Sequence, residues 1–223
     1  MEVWKERLGI QDTERLRHLF NTCVVSRAPL YNPSISESKR SDREKYVLNA
    51  FITVHEADGY DEYQWDILNV VLSIFENEAD AFWAFTMIVG LQRPYRPIHG
   101  ERIFAKVVET VASYVQVELV ILDMDLATCM ETSLKDMLSS VVARWFSTWF
   151  ACIGAGVEFY TATLICPAKL RTRWLSLVTA TLLLDAAGDM PRIYARRNDI
   201  YRAFSRTRIT NDIQLIKRAQ KRL

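Results

Sequence analysis

Seven glycines and six prolines are few for 223 residues. A chain of many short strands needs turn residues at close intervals. Their scarcity excludes a strand-rich sandwich or barrel and favours helices. Four cysteines, at 23, 129, 152 and 166, form no CxxC pair, and the three histidines, at 18, 55 and 99, do not gather near them. No zinc site of the usual spacing is expected, and the cysteines read as small buried hydrophobes of a reducing compartment. Neither GxxxxGKS/T nor GxGxxG occurs, so the chain is expected to bind no nucleotide by itself and to need no cofactor. No Ser/His/Asp or Cys/His arrangement can be drawn from the scattered histidines. The N-terminal MEVWKERLGI has no apolar h-region, so no secretory signal and an intracellular protein are expected. The apolar runs 145–157 and 174–184 fall short of the roughly 20 residues that span a bilayer. Arg144, Glu158, Arg171 and Arg173 bracket them. They are expected to be buried core helices, with no transmembrane segment.

What is present is ordinary globular composition, with half of the residues hydrophobic and a quarter charged. The formal net charge of +1 is unevenly spread. Residues 191–223 hold eight Arg and two Lys against Asp199 and Asp212, a net of +8, which leaves −7 on residues 1–190. An acidic body thus carries a basic tail. Arginines interleaved with Tyr194, Tyr201 and Phe204 could meet RNA or an anionic lipid. Ile200, Tyr201, Phe204, Ile209, Ile213 and Ile216 recur at roughly helical spacing, so an amphipathic helix packed on the body is the preferred form, with no nucleic-acid binding assigned.

Apolar spacing predicts eight to ten helices and no hairpin. Residues 12–24 carry one stripe, Leu16, Leu19, Phe20 and Cys23. Ser41 and Glu44 form a candidate capping box for a helix whose buried side is Val47, Leu48, Phe51, Ile52 and Val54. Gly59 is suited to its C-terminal stop. A third helix spans about 61–75. Asn77 or Glu78 starts a fourth, ADAFWAFTMIVGL, apolar on every face and so expected at the centre with Trp83 buried. Residues 101–122 read as helix, although VQVELVIL is ambiguous with a strand. Helices at 133–153, 157–165, 169–187 and 194–221 complete the set.

Several motifs stand in a recognisable order. Trp4 lies in EVWKERLG, Arg27 in NTCVVSRAP, and Val47-Leu48-Asn49-Ala50-Phe51 follows. Gly59-Tyr60, FENEADAFWAF from Phe75 to Phe85, and Arg144-Trp145-Phe146 come next. In order and spacing the chain resembles the TBC domain family, all-helical proteins that act on Rab-type GTPases. The resemblance is strongest between about 44 and 90. It implies an all-α, single multi-helix TBC-like domain over 1–190, followed by the basic C-terminal helix of 191–223. It implies as partner a Rab-type small GTPase or, if only the fold is kept, the subunits of a larger assembly.

The family's chemistry is assistance of phosphoryl transfer from GTP to water. An arginine supplied in trans stabilises the developing charge, and a glutamine positions the water. The resemblance places Arg27 at the arginine finger, Tyr60 at the binding tyrosine and Glu62 at the glutamine finger. Glu62 is an acceptor-only anion where the family has an amide that also donates. A carboxylate facing a triphosphate adds repulsion. Tyr63 and Trp65 put bulk where the family has Gly and Asn, so close backbone approach is not expected there, and Val24 stands where the family has an acid that helps place the arginine segment. The expectation is a GTPase-activating protein (GAP)-like pseudoenzyme with weak or lost activity.

Overall fold

The structure, a computed structural model, describes residues 1–24, 41–55, 63–96, 101–132, 135–188, 204 and 206–221. Of these, 84% are helical, with eleven α-helices and no strand among the described residues. By its contacts the chain divides into two compact units, Met1–Arg93 and Pro94–Leu223.

The described residues of the N-terminal unit form five α-helices. They are α1 (Glu2–Leu8), α2 (Thr13–Leu19), α3 (Asp42–Val54), α4 (Gln64–Ile74) and α5 (Glu78–Gln92). Gly9 ends α1 at φ 72°, in the left-handed region that glycine tolerates without strain. The Asp12 carboxylate accepts from the Arg15 N–H and starts α2. The expected helix over 12–24 does not stay α-helical, because Phe20–Val24 widens into a π-turn. The capping box is formed, with Ser41 Oγ accepting from Glu44 N–H and the Glu44 carboxylate accepting from Ser41 N–H. Helix α3 buries Val47, Leu48, Ala50 and Phe51, while Val54 is exposed. Gly59 lies outside the described residues. Arg43 closes the end of α4 by donating to the Phe75 and Glu76 carbonyls and pairing with Glu78 at 3.3 Å.

Helix α5 is the centre of this unit. Asn77 Oδ1 caps it by accepting from Ala79 and Asp80 N–H. Phe82 and Phe85 are wholly buried, and Phe82 packs against Phe20 and Phe85 against Phe51. One face is nonetheless open, since Met87 and Gly90 are exposed. Trp83 is half-buried, where full burial was expected. Its indole donates to the Leu16 carbonyl at 2.8 Å. A helix can be apolar all round and still leave a side uncovered when that side carries only Met, Gly and a Trp whose N–H has a partner.

The C-terminal unit contains α6 (Glu101–Leu122), α7 (Met124–Thr132), α8 (Lys135–Ser147), α9 (Val157–Ile165), α10 (Ala168–Ala187) and α11 (Asp212–Gln220). Helix α10 is its axis, buried continuously from Trp174 to Leu183. Its buried hydroxyls, on Ser176, Thr179 and Thr181, donate to carbonyls four residues back. After α8 the backbone turns through Trp149 and Phe150, both left-handed at φ 48° and 64°. Such strain costs on the order of 1–3 kcal/mol per residue. An aromatic cluster of Trp145, Phe146, Phe150, Phe159 and Tyr160 holds the turn in place. Among the described residues no helix is long and apolar enough to cross a membrane.

The expected continuous helix over 194–221 is corrected where it is described, because 207–210 are not helical and the helix runs only over Asp212–Gln220. Leu215, Ile216 and Ala219 of α11 are buried, as is Phe204. Arg218 makes a bidentate pair with Asp185 of α10. Asp212 accepts from Gly156 and Phe159 N–H at the start of α9. Its burial raises the carboxyl pKa, an effect these bonds only partly offset. The approach needs a glycine, since a Cβ on residue 156 would lie 2.7 Å from the Asp212 carboxylate. These contacts hold the described part of the basic tail against its own unit.

Candidate functional site

Arg27, Tyr60 and Glu62, the three residues assigned by the resemblance, lie outside the described residues, as does Gly59. Their immediate neighbours are described. The π-turn Phe20–Val24 leads into the arginine segment and ends on a buried Val24. On the other side, α4 begins at Gln64. Gln64 and Trp65 are buried at 1% and 4% exposure, while Tyr63 is half-buried. The bulk of Gln64 and Trp65 is therefore taken up inside the N-terminal unit.

The acidic motif does something different from what its sequence announces. Asp80, 3% exposed, accepts two bonds from the Arg17 guanidinium, at 2.9 and 2.7 Å, and pairs with the Lys5 ammonium at 3.4 Å. Burial raises the Asp80 pKa. The Arg17 hydrogen bonds and the Lys5 and Arg17 charges outweigh burial, so the carboxyl lies below its usual range. Arg17 is correspondingly raised, chiefly by the bond to Asp80. One carboxylate of α5 thus ties α1 and α2 to the central helix. Its charge is balanced in place by the two cations, so it serves the packing of these three helices. Sequence reasoning singled out the motif but missed both partners, which lie 63 and 75 positions away.

In the C-terminal unit, Arg144-Trp145-Phe146 places two aromatics in the core and leaves the arginine exposed. The Cys152 thiol is raised by burial, against the smaller opposing effects of Thr148 and the Arg144 and Arg208 charges, and stays protonated. A cavity of about 360 Å³ beside α11 is lined by Arg206, Arg208, Asn211, Gln214 and the paired Arg218 and Asp185. No group of three or more His, Cys, Asp or Glu that could hold a metal occurs among the described residues. A feature without a motif lies on α6, where an outer row of apolar side chains is exposed. Its signal was available in the spacing of Ile103, Val107, Thr110, Tyr114, Val117 and Ile121. In comparisons with known proteins, no family model matches the chain, and no curated protein matches it.

Proposed function

We propose that this chain is a TBC-like protein that binds a Rab-type small GTPase and accelerates its GTP hydrolysis weakly or not at all. One observation carries the reading. Those residues of the resemblance between 44 and 90 that are described, in α3 and α5, supply buried side chains of the N-terminal unit. Val47, Leu48, Ala50 and Phe51 of α3 and Phe82 and Phe85 of α5 are all at most 1% exposed, with Phe51 packed on Phe85. Asp80 of the same motif gathers α1 and α2.

The chemistry follows from the residue types. Arg27 brings a planar, permanently charged fork suited to a γ-phosphoryl group. Glu62 brings a carboxylate in place of the amide that positions water, and its charge opposes the charge that develops in the transition state. Binding through Tyr60 and Arg27 can persist where acceleration fails.

Binding is tested by titrating the full chain against a panel of Rab proteins in both nucleotide states. At least one Rab should bind about tenfold more tightly with a non-hydrolysable GTP analogue than with GDP, and Arg27→Ala should reduce that preference. Absence of binding to every Rab in either state would end the GTPase reading and leave the alternative, a structural subunit of a larger assembly.

A further inference from the structure

Helix α6 has two apolar faces, and the C-terminal unit uses one. Val108, Val111, Val115 and Leu119 are buried, against α10 and the helices that follow α6. A second row, Ile103, Val107, Thr110, Tyr114, Val117 and Ile121, advances by four, three, four, three and four residues. That alternation is the 3.5-residue repeat by which one helix presents a seam to another. Four of its members are exposed, Ile103 at 58%, Tyr114 at 49%, Val117 at 57% and Ile121 at 69%. The row covers about 27 Å at the helical rise, some five turns.

The row is one wall of a recess. Lys169, Leu170, Thr172 and Arg173 at the start of α10 form the other wall, and the groove between them holds about 740 Å³. Tyr95 at one end is fixed by a hydrogen bond of 2.9 Å to Thr172 Oγ1. The charges around the groove are unequal. Glu118, 6% exposed, is neutralised by Arg173 at 3.2 Å. Lys106 and Lys169 are exposed and have no acidic partner among the described residues. Among the described residues that line the groove, two ammonium groups and no carboxylate are left without an opposite charge, which favours an occupant with acid along its flanks.

From this groove we infer an interaction surface for an amphipathic α-helix of a partner protein, with an apolar heptad face flanked by Glu or Asp. The inference is independent of the GTPase reading, because it rests on α6 and α10 alone. A second copy of the chain would bring the same basic rim against the first. A lipid surface would fit a convex apolar face better than a recess between two helices.

The test is a display library of 21-residue helices with Leu, Ile or Val at the seam positions and Glu or Lys varied at the flanking positions, selected on the full protein. Selected helices should be enriched in Glu at the flanks. The best of them, as a free peptide, should lose about tenfold or more in affinity to Val117→Asp or Ile121→Asp, each of which would bury a lone charge under the peptide. Both positions are exposed, so circular dichroism and melting temperature should stay at wild-type values. Lys106→Glu with Lys169→Glu should shift preference to Lys-flanked peptides. Selection of Lys-flanked helices, or of none, would overturn the inference. So would a peptide affinity untouched by Val117→Asp. Dimerisation, or sedimentation with phosphatidylserine vesicles, that Val117→Asp abolishes while no peptide binds would overturn it too, in favour of a second copy or a membrane.

Discussion

Asp80→Asn should lower stability by about 2–4 kcal/mol. Removing one partner of a buried ion pair costs roughly 3–5 kcal/mol, because the other charge is left without compensation. Here the figure is reduced because Arg17 keeps 42% of its side chain in water, which screens it. Lys5, at 16%, is the more stranded of the two cations. The melting temperature should fall on the order of 10 °C. The effect has a defined pH dependence. The folded-state pKa of Asp80 is depressed, so its contribution is fully present above the ordinary carboxylate value of about 4. It is lost as pH falls through the lowered folded value. Urea melts of wild type and Asp80→Asn should therefore differ most near neutrality and converge in strong acid. A difference independent of pH would show that the variant acts through something other than this charge.

Phe82→Ala and Trp83→Ala, adjacent residues on one helix, should differ sharply. Phe82 is fully enclosed and packs on Phe20 at 5.1 Å, so its truncation should cost about 3–5 kcal/mol. Trp83 is half in water. It should cost distinctly less, through the part of the ring that is buried and the bond to Leu16, of which the bond contributes about 1 kcal/mol. Trp83→Phe isolates that last contribution. Equal losses for Phe82→Ala and Trp83→Ala would place the helix in a different register.

How far the molecule can be read from its sequence depends on the distance over which each signal acts. The all-helical class, the box at Ser41 and Glu44, and the cap at Asn77 are local, and each could be read from a few adjacent residues. Helix α6 was bounded correctly at 101–122 even though VQVELVIL resembles a strand. VQVELVIL draws on both apolar rows, Val115 and Leu119 from the buried one and Val117 and Ile121 from the exposed one, and so reads as a nearly continuous apolar run. Helix α7 was missed because Leu126, Ala127 and Met130 make too short a stripe. The remaining cue was Asp123, whose carboxylate accepts from Leu126 N–H. The tail was read as one helix because isoleucines recur through it, but spacing alone does not mark the break at 207–210. Burial of Trp83 was overestimated because composition cannot say which side of an apolar helix is covered. Around the candidate site, nothing local could join Asp80 to Lys5 and Arg17. Such pairs are made by tertiary packing, and periodicity carries no trace of them. Arg27, Tyr60 and Glu62 were assigned by motif order, and their geometry lies outside the described residues.

We propose a GTPase-binding chain whose finger chemistry is impaired at Glu62. Single-turnover phosphate release on the Rab that binds best, with wild type, Glu62→Gln and Arg27→Ala, tests it most directly. A complete arginine-assisted arrangement accelerates hydrolysis by about 10³–10⁵. Wild type should stay below roughly a hundredth of the upper end of that range. Glu62→Gln should raise the rate by restoring an amide that both donates and accepts, and Arg27→Ala should remove whatever acceleration remains. Strong wild-type acceleration that is unchanged by Glu62→Gln and abolished by Arg27→Ala would contradict the account and make this chain a working GAP.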